Sequence, residues 1–126
     1  MSHINFHDQS KTKSDNYETP EYVFKDISHF VNKERTIYDP FYYTGSSGKF
    51  LSSLFENVIH EDINFFNNLF EYDMIISNPP YSKLKAILEK IERENKPFML
   101  LMPLTLLTRK YFKSIFNKKE IKIIIP

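Results

Sequence analysis

The chain has 126 residues, a length for one domain with a real core. It contains no cysteine, which excludes disulfides and thiolate metal sites. No signal-peptide pattern or membrane-length apolar run is visible, so a soluble, intracellular protein is expected. Net charge is only +1 but unevenly spread: residues 1–82 carry 6 basic and 12 acidic side chains, residues 83–126 carry 11 and 4. That asymmetry fits a polyanion meeting the C-terminal half, and fits solvated lysines on helix faces equally well.

Residues 1–16 are polar and aperiodic, an expected mobile arm ahead of a domain over 17–126. His3 and His7 have a spacing that a helix could use for metal, but no further ligand supports a site. Tyr17-Glu18-Thr19-Pro20 reads as a helix start, with Thr19 as N-cap and Pro20 as the first helical residue. Val23, Ile27, Phe30 and Val31 follow at helical spacing, a stripe for a sheet. Residues 36–39 form a short β-rich strand that Asp39-Pro40 ends. The loop from Phe41 to Gly48 holds the chain's only two glycines, Gly45 and Gly48. Glycine admits positive φ and lets backbone approach a ligand closely. A helix carrying Phe50, Leu51, Leu54 and Phe55 follows, with Ser46 or Ser47 as its cap. Strand, acidic turn, glycine loop and helix make the first βα unit of a nucleotide-binding sheet.

Residues 58–60 read as a second strand running into Glu61, Asp62 and Ile63. An acid at the carboxyl end of a strand can accept from ribose hydroxyls or an adenine amine. Only about a dozen residues then precede the next strand, too few for another βα unit. That next strand begins at Asp73 and runs into Asn78-Pro79-Pro80-Tyr81. Proline has no N–H and a fixed φ, so the chain leaves the sheet at Asn78, held extended. Asn78 Oδ1 and the Pro79 carbonyl can both accept from one NH₂ group. Tyr81 can stack on a planar base, as aromatics do around flipped bases.

Ser82 is the expected cap of a helix with a Leu84, Ile87, Leu88 and Ile91 stripe, stopped by Asn95-Lys96-Pro97. Residues 98–102 are continuously apolar, as at the centre of a parallel sheet. Thr108 then caps a helix facing Tyr111, Phe112, Ile115 and Phe116 to the core. Arg109, Lys110, Lys113, Lys118 and Lys119 lie outside that stripe. Residues 121–125 read as a last strand. Alternating strands and helices imply an α/β fold with a largely parallel sheet.

The stretch over 73–81 resembles motif IV of amino-group methyltransferases that use S-adenosylmethionine (SAM), in its NPPY, N6-adenine form. Asp39-Pro40-Phe41 resembles the start of motif I, although the two glycines come later and wider than usual. Tyr17-x-Thr19-Pro20 resembles motif X. The likeness covers residues 17–126 and is to phage and large-virus N6-adenine methyltransferases. It implies a Rossmann-like fold with flanking helices, no separate target-recognition domain, and DNA rather than RNA as substrate.

By the same resemblance Asn78, Pro79, Pro80 and Tyr81 are catalytic, and no metal is needed. SAM would meet Tyr17, Thr19, Pro20, Asp39, Pro40, Phe41, Gly45, Gly48, Glu61, Asp62 and Ile63, with Asp62 toward its adenine and Glu61 toward its ribose. Asp39→Ala is expected to weaken SAM binding far more than it lowers stability. The family's usual last strands are missing, so the sheet is expected to be incomplete at residues 121–125, where a second copy or a partner could pair. Two alternatives stand beside this reading: an inactive SAM- or nucleic-acid-binding module, and a methyltransferase acting on RNA or protein glutamine.

Overall fold

The computed structural model describes residues 19–67, 70–103, 105 and 108–116. The expected arm, Tyr17, Lys118, Lys119 and the expected strand over 121–125 lie outside the described residues. In chain order the elements are α1 (Glu21–Ser28), β1 (Thr36–Tyr38), α2 (Ser46–Leu54), β2 (Asn57–Ile59), β3 (Met74–Ser77), α3 (Leu84–Glu94), β4 (Phe98–Leu100) and α4 (Lys110–Ile115). Single 3₁₀ turns occupy Phe65–Asn67 and Tyr81–Lys83. The strands form one parallel sheet in the order β2-β1-β3-β4. The fold is therefore α/β with an all-parallel sheet flanked by helices.

Alternation along the strands assigns the two faces. Ile37, Met74 and Ile76 pack against Phe24 and Ile27 of α1 and Leu51 of α2. Tyr38 and Ile75 point the other way, onto Ile87 and Ile91 of α3 and Phe65 of the β2–β3 connection. As expected, that connection contains no α-helix among its described residues and still returns β3 parallel to its neighbours. Aromatic rings do the covering that a helix would otherwise do: Tyr38 meets Phe65, Phe70 and Tyr72 with ring centroids at 6.2, 5.7 and 5.1 Å. The α3 stripe is buried as its spacing predicts, with Leu84, Ile87, Leu88 and Ile91 all at most 2% exposed. Each such side chain contributes roughly 1.5–3 kcal/mol. Leu84 and Leu88 also hold Phe112 and Phe116 of α4.

Several expectations are corrected. Thr19 does not cap α1: Pro20 occupies the N-cap position with no side-chain hydrogen bond, and the helix starts one residue later. Because α1 ends at Ser28, Phe30 leaves the helical stripe and is 65% exposed, while Phe24 is fully buried instead. Gly45 rather than a serine caps α2. Ser82 lies in the 3₁₀ turn before α3, whose N-cap is Lys83. The Thr108 hydroxyl donates to the Thr105 carbonyl at 2.8 Å rather than capping α4. Finally, β4 is only half buried and forms an edge of the sheet among the described residues, not its centre.

Among the described residues no helix is long and apolar enough to cross a membrane, and no group of three or more His, Cys, Asp or Glu side chains could hold a metal ion.

Candidate functional site

The strand order changes direction between β1 and β3, because β1 is followed outward by β2 and β3 by β4. In an open α/β sheet the crevice at such a point, outside the carboxyl ends of the strands, is where ligands bind. Two segments form its lips here: the loop from β1 to α2, and the Asn78-Pro79-Pro80 exit from β3.

The floor is a buried polar network centred on Asp39, which is 1% exposed. Ser77 of β3 donates its hydroxyl to Asp39 Oδ1 at 2.5 Å. Ser47 of α2 donates to Oδ2 at 2.6 Å. His60, just past β2, brings Nδ1 to 3.1 Å from Oδ2 and 2.9 Å from the Asp39 main-chain carbonyl. Both carboxylate oxygens are thus taken by protein donors from three other elements. Asp39 ties these loops together, so its loss should cost stability in its own right.

The two glycines do different jobs. Gly45 has φ +90 and lets the chain turn into α2, its N–H donating to the Tyr42 carbonyl at 2.8 Å. Gly48 is needed for space: a Cβ there would stand 2.3 Å from His60 Cδ2. The His60 ring is held between that bare backbone and Tyr42, which stacks on it at 4.8 Å and 16°. Burial alone would lower the His60 pKa, but the hydrogen bond and charge of Asp39 outweigh it and raise the value above the ordinary 6.5. Its Nε2 is buried with no hydrogen-bond partner.

Above this floor lies a narrow cleft lined by Thr19, Tyr43, Thr44, Ser46, Ser47 and Asn78. It measures about 270 Å³ counting its open mouth; inside the mouth there is room for about one water molecule. The Thr19 hydroxyl on its wall is buried and has no partner. Asn78 is 6% exposed. Its main-chain carbonyl accepts from the Tyr43 hydroxyl at 2.6 Å, and its Oδ1 accepts from the Tyr81 hydroxyl at 3.1 Å. The Tyr81 ring is half buried and packs with the cluster of Leu84, Leu88, Phe112 and Phe116.

Of the residues expected at the site, the structure gathers Thr19, Asn78 and the Gly45 turn around one cleft. Pro40, Pro79 and Pro80 are buried, and Pro20 is half buried. Phe41 is a core residue, 4% exposed and 5.4 Å from the Phe65 ring centroid. Glu61, Asp62 and Ile63 are exposed and do not line the cleft. Lys83, Lys85, Arg109 and Lys110 are exposed at the starts of α3 and α4 or just before them, and Lys113 is exposed in the last turn of α4.

His60, Tyr43, Ser47 and Ser77 escape sequence reasoning as site residues. Only Ser77 carried a signal, a hydroxyl closing an otherwise apolar run. Comparison of the chain with protein-family models, curated proteins and solved structures finds no match.

Proposed function

We propose that the protein transfers a methyl group from SAM to the N6 amino group of adenine in DNA, on a Rossmann-like methyltransferase fold. One observation carries this reading: Asn78, at the carboxyl end of β3, lines a cleft at the switch point of a parallel sheet, opposite the glycine turn that opens α2.

The donor chemistry of the cleft fits a polar cofactor. Thr19 presents a buried hydroxyl without a partner, and α2 begins at the cleft with the unpaired N–H groups of a helix start. Thr19, Ser46 and Ser47 are the residues that would hold it. The space is tight, so binding requires the side chains around the mouth to part. When bound, SAM supplies a methyl group already activated by its sulfonium.

The chain's own residues do the rest. An adenine N6 is a poor nucleophile because its lone pair is delocalised into the ring. Asn78 Oδ1 and the Pro79 carbonyl accept hydrogen bonds from its two N–H groups, favour a pyramidal nitrogen and offset the positive charge that develops there, and one of the two protons passes to water once the methyl group is in place. The two prolines hold both acceptors still, so most of the acceleration comes from positioning. The basic starts of α3 and α4 suit the DNA phosphates.

A second reading, a binding module without turnover, is favoured by Tyr81, whose hydroxyl already occupies Asn78 Oδ1 and whose ring packs onto α3 and α4. Calorimetric titration with SAM, followed by a tritiated-methyl assay on DNA, RNA and protein, separates the two. SAM binding with label in DNA adenine is the expected result. Binding without transfer supports the module, and label in RNA or protein moves the substrate.

A further inference from the structure

The mechanism above makes no use of Tyr43, yet the Tyr43 side chain spans the crevice at the height of the cleft. It sits on the β1–α2 lip, and its hydroxyl donates to the Asn78 carbonyl on the opposite lip at 2.6 Å. The backbone there has φ +51, a left-handed conformation that a bulky aromatic residue rarely adopts. Such strain persists only where the surroundings over-determine it. Here the turn at Gly45 and the bond to Asn78 are among the contacts that hold it. Asn78 lies just past Ser77, the last paired residue of β3, and its carbonyl receives its donor from the far side of the crevice. On the other side Tyr81 fixes the side-chain carbonyl. Asn78 is thereby held at both of its carbonyls by tyrosine hydroxyls from two different segments.

We propose that Tyr43 is a positioning residue for Asn78, tying the setting of the acceptor at the end of β3 to the placement of the β1–α2 loop. The inference rests on the methyl-transfer reading and adds regulation to it. The loop that forms the cofactor wall also holds the acceptor, so filling the cofactor site would reinforce the setting of Asn78. Tyr43 itself touches neither reacting atom.

The test uses the full chain and Tyr43→Phe, which keeps the ring and removes only the hydroxyl. SAM affinity by calorimetry should stay within about twofold of the parent. The single-turnover methyl-transfer rate on an adenine-containing oligonucleotide should fall about five- to tenfold, the scale of one hydrogen bond, with KM for the oligonucleotide unchanged. Hydrogen exchange at the backbone amides of Ser77, Asn78 and Tyr81 should quicken in the same variant. An unchanged rate overturns the proposal, as does a SAM affinity that falls in step with the rate, which would make Tyr43 a cofactor contact. If the parent transfers no methyl group, the exchange measurement decides by itself. Faster exchange keeps the tie to Asn78 and removes only the methyl-transfer reading, whereas unchanged exchange removes both.

Discussion

His60 Nδ1 stands 3.1 Å from the Asp39 carboxylate, a histidine and an acid paired under the crevice with side-chain exposures of 7% and 1%. The pair raises the histidine pKa above 6.5 despite its burial. A group whose folded pKa is raised stabilises the fold fully below its unfolded value. That contribution is lost as pH climbs through the folded value. Thermal stability should therefore decline from about pH 6.5 upward, and His60→Asn should flatten the decline. An equally steep profile in the variant would assign the titration elsewhere.

Removing the acid should cost stability outright. Asp39→Ala leaves the Ser47 and Ser77 hydroxyls without their acceptor and the His60 imidazole with only the main-chain carbonyl of residue 39. Breaking a buried pair of this kind costs about 3–5 kcal/mol. Denaturant unfolding checks this, and a loss under about 1 kcal/mol would show that the network contributes little.

Gly48→Ala drives a methyl into the His60 ring. Overpacking of this sort costs about 1–3 kcal/mol. The clash has one partner, so Gly48→Ala combined with His60→Ala should lose distinctly less than the sum of the two single changes. Additive losses in chemical denaturation would place the strain in the backbone instead.

Tyr81 should affect both fold and chemistry. Truncation to alanine opens a gap beside Leu84 and Phe112. For a half-buried ring this costs about 1–2 kcal/mol, below the figure for a fully buried aromatic. Tyr81→Phe keeps that packing and frees Asn78 Oδ1, so its melting temperature should stay near the parent's. Asn78→Ala should lower methyl transfer about 10²–10³-fold. Melting curves and the tritium assay together report these three variants.

Binding of single-stranded DNA should weaken steeply with salt if Lys83, Lys85, Arg109, Lys110 and Lys113 meet phosphates. Replacing Arg109 and Lys110 by glutamine should reduce the slope of log K against log salt by about 2 at most. A flat salt dependence would leave these side chains as solvated surface.

The elements whose signal is local were legible from the residues alone. Ile75 and Ile76 closing on Ser77 read as a strand, and the Leu84 to Ile91 stripe read as a helix face, because period and burial are set within a few neighbours. The caps did not follow their usual rules. Thr19, Ser46, Ser47, Ser82 and Thr108 all stand where a capping hydroxyl is common, and none of them occupies the N-cap position of its helix. Ser47, for example, is drawn to an acid eight residues away. The network around Asp39 was illegible for the same reason: its partners lie 8, 21 and 38 residues off in the chain. No spacing rule connects them, so only the folded topology shows that the acid is spent internally. The Tyr43 bond to Asn78 spans 35 residues and is equally silent in the sequence.

The strand order also dictates what a ribosome releases before the domain can close. α1, β1, α2 and β2 emerge first, and β1 can pair with β2 at once. Its other edge, which belongs to β3, stays open until residues 74–77 leave the exit tunnel. During that interval Asp39 can collect Ser47 and His60 but not Ser77, and the apolar Ile37 face has no Met74 or Ile76 beside it. The nascent half-sheet is thus a sticky intermediate whose maturation is timed by the arrival of one four-residue strand. A pause in translation before that strand should raise the share of chains lost to aggregation.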